Sequence, residues 1–219
     1  MKKQLLSFAL ILSVFGSNAQ TTLNETITHD GGDREYIIHI PASYDPGTPI
    51  PLVLGFHGRT STANTFMTYS GYNTVSDTAN CIVVYPQGLV YGGATHWNVG
   101  GFTAGSPVDD LGFVDALLDT LIADYNINED RVYSTGMSNG GYMSFLLACQ
   151  LSDRIAAIAS VTGSMTPETF TACNPSHPTP VLQVHGDADA TVPYNGASWT
   201  KSIDDVVDYW TDYNNTSTS

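Results

Sequence analysis

The stretch RVYSTGMSNGGYMSFLLA, residues 131 to 148, sets Gly136, Ser138 and Gly140 at alternate positions where an apolar strand gives way to an apolar helix. A serine on such a turn is a candidate nucleophile. The sharp strand-to-helix turn forces its backbone into strained geometry, and glycine is required two residues to either side because side chains there would collide. The free N–H groups of the new helix face the serine, so the Asn139 amide is a candidate donor to a developing oxyanion. By itself G-x-S-x-G is a weak signal, since a Gly-rich turn with an N-cap serine reads the same way.

Two further strand ends add to it. LVLGFHGRTSTANTF places His57-Gly58 directly after an apolar run, and the backbone N–H of Arg59 or Thr60 could supply a second oxyanion donor. Each such donor is worth roughly 3 to 4 kcal/mol where water is excluded. His57 itself reads as a loop-shaping residue. PVLQVHGDADATVPY ends a strand at His185-Gly186 and continues into Asp187 and Asp189, either of which could orient an imidazole or simply belong to a solvated acidic turn.

An acyl-transfer serine needs that imidazole to take its proton. The histidines are His29, His39, His57, His96, His177 and His185, and none follows Asp189. In the order Ser, acid, His, the third member is therefore absent. His185, at the base of the acid loop, and His96, in the loop YGGATHWNVGG, are the internal substitutes. The expectation is that the activating histidine lies outside this sequence, which would then end one strand short.

These strand ends require an alternating scaffold. EYIIHI and IPLVLGFHG come first and read as antiparallel neighbours; CIVVYPQG, RVYSTG, IAAIASVTG and PVLQVHGDAD follow. Most are apolar on both faces, as strands inside a parallel sheet are. A helix is predicted over residues 108–125, with Ser106 as N-cap, Pro107 in the first turn, and Asp109 and Asp110 favouring the helix dipole. A second helix is predicted from near Asn139 and a third from near Ser198. Alternating strands and helices give an α/β fold whose ligands bind at the C-terminal strand ends.

The chain has 219 residues, 42% hydrophobic and 13% charged, which suits one globular domain. Lys2 and Lys3, the run LLSFALILSVF and the small residues Ser17 and Ala19 read as a cleaved bacterial export signal over residues 1–19, leaving a domain over residues 20–219. The protein is then expected outside the cell or in the periplasm, with no membrane association after cleavage, and as a monomer. A net charge of −14 and no basic patch argue against nucleic-acid binding. The three cysteines fit no zinc spacing; Cys81 reads as a buried thiol, and Cys149 with Cys173 is one possible disulfide.

The motifs together resemble the α/β-hydrolase esterases of the polyhydroxybutyrate depolymerase and feruloyl esterase group. The resemblance runs from about Arg34 to Trp210 and rests on LVLGFHG, Trp97-Asn98, VDDLGFVDALL, RVYSTGMSNGGYMSFLLAC, DRIAAIASVTG and VHGDADATVPY. It implies an α/β-hydrolase fold, a mostly parallel sheet flanked by helices, here lacking its final strand and catalytic-histidine loop. It implies Ser138 as nucleophile, and its H-G-x-x-D-x-x-V-P-Y pattern places the acid at Asp189 rather than Asp187. It implies hydrolysis of carboxylic esters without a cofactor or metal, on polysaccharide-linked feruloyl or acetyl esters or on a polyester. A peptidase and a non-catalytic binding module are the alternatives. Trp97, Tyr91, Phe102, Tyr142 and Trp199 are candidates to stack on substrate, with Trp97 and Tyr142 foremost.

Overall fold

The computed structural model describes residues 19–216. The expected export signal lies outside the described residues apart from its last position. The strands are β1 (Thr21–His29), β2 (Gly32–Ile40), β3 (Ile50–Phe56), β4 (Ile82–Pro86), the short β5 (Val90–Tyr91) and β6 (Ala94–Thr95), β7 (Ile127–Met137), β8 (Ala157–Val161) and β9 (Val181–Val184). The α-helices are α1 (Ala63–Ser70), α2 (Tyr72–Ala79), α3 (Asp110–Asp124), α4 (Asn139–Gln150), α5 (Pro167–Ala172) and α6 (Ile203–Tyr213).

Seven strands form one sheet in the order β1-β2-β4-β3-β7-β8-β9. From β4 to β9 every pairing is parallel, while β1 and β2 are antiparallel additions at one edge. The expected α/β architecture is therefore present. The expected pairing of the first two runs is not: β4 lies between β2 and β3. A crossover through α1 and α2 returns the chain on the far side of β3, which the apolar runs alone do not reveal.

The two faces of the sheet alternate along each strand, as a period of two requires. Ile38, Leu52, Leu54, Phe56, Ile82 and Val84 join the larger core with α3, α4 and α6. Ile37, Val83 and Tyr85 face the other way, against Ala63 and Phe66 of α1. Beyond α2 this second face is open. Leu182 and Val184 on edge strand β9 are 60% and 49% exposed, and a groove of about 290 Å³ runs between Val75 of α2 and Ala157 and Ala159 of β8.

Local signals were read correctly at α4 and shifted elsewhere. Helix α3 starts at Asp110 with Asp109 as N-cap, its carboxylate accepting the Gly112 N–H at 2.9 Å. Ser106 does not cap; its hydroxyl pairs with His96 Nε2 at 2.8 Å. Asp110 lies in the first turn as expected, but as a buried carboxylate 2.6 Å from Arg34. Helix α6 starts at Ile203, later than expected, because Ser202 rather than Ser198 accepts the first-turn amide of Asp205. Cys149 at the end of α4 is disulfide-bonded to Cys173 after α5, and Cys81 is a buried free thiol. No helix among the described residues is long and apolar enough to cross a membrane.

Candidate active site

The turn from β7 into α4 lies at the C-terminal edge of the sheet, flanked by β3 and β8. Ser138 sits on it with φ 53° and ψ −121°, a conformation strained for a residue with a Cβ. The strain is held by neighbours on both sides. Ser138 N–H donates to the Val161 carbonyl of β8 at 2.8 Å, and the Ser138 carbonyl accepts the amides of Gly141 and Tyr142 at 2.8 and 3.1 Å. The flanking glycines are forced by contact. A Cβ on Gly136 would stand 2.4 Å from the Gly140 carbonyl, and one on Gly140 would stand 2.1 Å from the Phe56 oxygen.

The loop after β3 comes against this turn; a Cβ on Gly58 would be 3.5 Å from that of Ser138. Of the two amides proposed there, Thr60 N–H already donates to the Thr95 carbonyl at 2.9 Å, so it is not available to an oxyanion. The Arg59 amide makes no hydrogen bond among the described residues, and neither does the Asn139 amide at the start of α4. His57 shapes the loop as expected. Its Nδ1–H donates to the Gly58 carbonyl at 2.8 Å, and Nε2 accepts the Gly88 amide at 3.0 Å. Burial holds its pKa below the ordinary histidine value, which favours the neutral ring these partners require.

The acid loop follows β9. Asp189 Oδ1 accepts the amides of Thr191 and Val192 at 2.8 and 3.0 Å. The Val192 and Thr191 amides, in that order, hold its pKa below the ordinary aspartate value, helped by His185. Oδ2 makes no hydrogen bond and lies 3.8 Å from His185 Nε2. Asp187 is exposed and makes no side-chain hydrogen bond among the described residues.

None of the six histidines bonds to Ser138. His185 donates from Nε2 to the Val192 carbonyl at 2.8 Å and accepts Gln183 Nε2 at Nδ1, 3.1 Å away. His96 donates from Nδ1 to the Leu89 carbonyl at 2.9 Å and uses Nε2 on Ser106. His29 pairs with Asp109, His39 with Thr22 and Asp77, and His177 with the carbonyls of Ser152 and Pro178. Both internal substitutes therefore have their ring nitrogens committed to building loops.

A cavity of about 380 Å³ opens over Ser138, lined by Arg59, Thr60, Phe102, Tyr142, Thr191, Val192 and Trp199. Phe102 meets Tyr142 and Trp199 edge-on, with centroids 5.0 and 5.4 Å away. Phe102 is 37% exposed, whereas Tyr142 is 1% exposed and its hydroxyl is bonded to Thr200 Oγ1. Tyr142 thus forms the floor. Trp97 is fully buried and cannot stack on a substrate; its indole N–H donates to the His57 carbonyl at 2.9 Å. Tyr91 packs on His96, outside the cavity lining. Thr191 and Val192 were not singled out in the sequence, although both fall inside the VHGDADATVPY stretch.

A seven-stranded, mostly parallel sheet with a strained serine between its third and fourth parallel strands, and an acid after the next strand but one, decides the architecture. The chain has the α/β-hydrolase fold. A Phospholipase/Carboxylesterase family matches residues 109–213. Among solved structures, a thermostable esterase superposes with a TM-score of 0.70 at 20% identity, over 88% of this chain and 52% of its own. Among curated relatives, feruloyl esterase C of Emericella nidulans is 28% identical, matched over 88% of this chain and 70% of its own length. The bifunctional acetylxylan esterase/xylanase XynS20E of Neocallimastix patriciarum is 30% identical over 79% of this chain and 24% of its own length. A relative from Nocardia uniformis subsp. tsuyamanensis is 32% identical and matched over 52% of its length, so this chain spans about half or less of these last two relatives.

Proposed function

We propose that this chain carries the acyl-transfer centre of an exported serine esterase, acting on feruloyl or acetyl esters of plant polysaccharides. The observation that carries the reading is the strained Ser138, open to a 380 Å³ cavity beside two unbonded amides, those of Asn139 and Arg59. Ser138 Oγ attacks the ester carbonyl and its oxygen takes up negative charge. The two amides are fixed before the charge appears, so no reorganisation is needed to stabilise it. An imidazole removes the serine proton and returns it to the leaving alcohol; water then releases the acyl group.

That imidazole is proposed to lie outside this sequence, because all six histidines here have other partners. Asp189 suits it: Oδ1 is fixed by two loop amides, which leaves Oδ2 to hold a ring N–H. Phe102 and Trp199 offer an aromatic wall for the acyl group or an adjoining sugar. The names of the relatives, feruloyl esterase C and acetylxylan esterase/xylanase, favour polysaccharide-linked esters over polyesters. Residues 1–19 are proposed as the export signal.

The test compares a p-nitrophenyl ester, methyl ferulate and a peptide anilide as substrates of the full-length protein, with Ser138→Ala as the blank. Hydrolysis of the esters, lost in Ser138→Ala, is the expected result. A preference for the anilide would replace the esterase with a peptidase, and no turnover of any substrate would leave a binding module.

A further inference from the structure

Trp97 does not touch the cavity, yet it joins the two halves of the oxyanion site. Its backbone N–H donates to Asn139 Oδ1 at 2.7 Å, and Asn139 Nδ2 donates back to its carbonyl at 3.0 Å. Its indole N–H donates to the His57 carbonyl at 2.9 Å, one residue before Gly58-Arg59. The ring packs edge-on against Phe56 at 5.1 Å and lies against His57 at 4.9 Å. Trp97, His57 and Asn139 are each at most 1% exposed, so water cannot replace these bonds.

The segment is itself anchored from behind. Asn98 N–H donates to Asp110 Oδ2 at 2.7 Å, while Asp110 Oδ1 is bound to Arg34. Asn98 Nδ2 reaches the carbonyls of Ser106 and Val108. The ladder between β3 and β7 ends at Phe56 and Gly136; beyond it the two loops touch at Gly58 and Gly140, but no ladder hydrogen bond sets the gap between the Arg59 and Asn139 amides. The Asn139–Trp97–His57 chain spans that gap.

Resting on the esterase reading, we infer that Trp97 is a positioning residue for the oxyanion site, a strut that sets the spacing of the Asn139 and Arg59 amides. Preorganised donors lose much of their effect when displaced, and a misplacement of about 1 Å costs roughly 10²-fold in rate. The residue acts through two backbone amides and not on substrate, so its loss should fall on the transition state.

The experiment uses the full-length protein with Trp97→Phe, which keeps an aromatic ring beside Phe56 and deletes the indole N–H. On an activated ester, kcat should fall roughly 10- to 100-fold with KM changed less than about twofold. Affinity for a trifluoromethyl ketone, which forms a tetrahedral oxyanion on the serine, should fall in proportion to kcat/KM. Hydrogen exchange over residues 57–61 should quicken while strands β3, β4 and β7 keep their protection. Asn139→Ala, which leaves the backbone amide in place, should give the same kinetic pattern. The double variant should lose less than the product of the two single losses, because both cut one chain of contacts.

Unchanged kcat with unchanged exchange at 57–61 overturns the inference, as does a raised KM at normal kcat. If Trp97→Phe does not fold, normal kcat in Asn139→Ala overturns it. If the wild type hydrolyses no ester above the Ser138→Ala blank, the esterase reading fails. Exchange at 57–61 in Trp97→Phe then still decides whether Trp97 holds that loop.

Discussion

Gly140→Ala should be far more damaging than its single methyl group suggests. The added Cβ would stand 2.1 Å from the Phe56 oxygen, 2.6 Å from its carbonyl carbon and 2.8 Å from the His57 oxygen. Ordinary contact begins at 3.4 Å, so the overlap with Phe56 O is about 1.3 Å. These are main-chain atoms at the end of β3, which is paired on one side with β4 and on the other with β7. No side chain can swing aside. The first turn of α4 has to retreat by roughly an ångström and takes Ser138 with it. Overpacking of this kind costs about 1 to 3 kcal/mol, and at about 2 to 4 °C per kcal/mol for a chain of this size Tm should fall by roughly 2 to 12 °C. A nucleophile misplaced by about 1 Å should lose on the order of 10²-fold in kcat/KM. The assay is ester hydrolysis and thermal melting of the full-length protein, with Gly186→Ala as the control. A Cβ on Gly186, in the acid loop, meets nothing within 4 Å. A Gly140→Ala protein that melts and turns over like the wild type would refute the contact argument. Equal damage in both variants would show that this end of the sheet tolerates no substitution at all.

Asp189→Asn in the full-length protein should lower kcat by roughly 10³- to 10⁴-fold through the wrong imidazole tautomer, while Asp187→Asn should change it little; the reverse order would move the acid by two positions. Because the folded pKa of Asp189 is depressed, chiefly by the Val192 and Thr191 amides, its contribution to stability is present above the ordinary aspartate value and is lost as pH falls through the lower folded value. Acid melting curves of Asp189→Asn should therefore lack that limb, and identical curves would count against the amide contacts. Reducing the Cys149–Cys173 disulfide, which closes a separation of 24 residues, should cost roughly 3 kcal/mol and lower Tm by about 6 to 12 °C, read by melting with and without reductant. Replacing Leu182 and Val184 by threonine should reduce self-association of this chain in light scattering with little change in Tm; undiminished association would place the sticky surface elsewhere.

What the sequence made legible depended on how local the governing physics is. The turn at Ser138 and the start of α4 are set within five residues, by glycines that nothing else could replace, and they read directly. β3 and β4 read as apolar runs because their burial is nearly continuous, and β8 and β9 read as such from composition although their burial alternates. β1 did not: TTLNETITH is exposed along most of its length and is held by its ladder with β2 and, at its end, by Ile27 against the core and His29 against Asp109 and Phe113. The insertion of β4 between β2 and β3 is a fact of the crossover and leaves no mark in either strand. The third helix was placed early because Ser198 and Ser202 are equally good caps by type, and only the packing of Val206 and Trp210 selects the second.

Site residues divide the same way. A backbone donor cannot be chosen by residue type, so Arg59 and Thr60 were equivalent until the Thr95 carbonyl was found on one of them. Trp97 was read as a substrate contact because an aromatic residue in a Gly-rich loop near a nucleophile fits that role. Its burial beneath the loop is decided by Phe56 and His57, which lie about forty positions earlier in the chain. Asp110 was read as a helix-dipole partner, yet burial pushes its carboxyl up from the ordinary value, against the Asn98 amide and the Arg34 guanidinium. Removing one partner of such a buried pair leaves the other charge uncompensated. Here Asp110 anchors Asn98, and through it the Trp97 segment. The residues most exposed to misreading were thus the ones that hold the site from behind: their types resemble those of residues that touch a substrate, and only the fold separates the two.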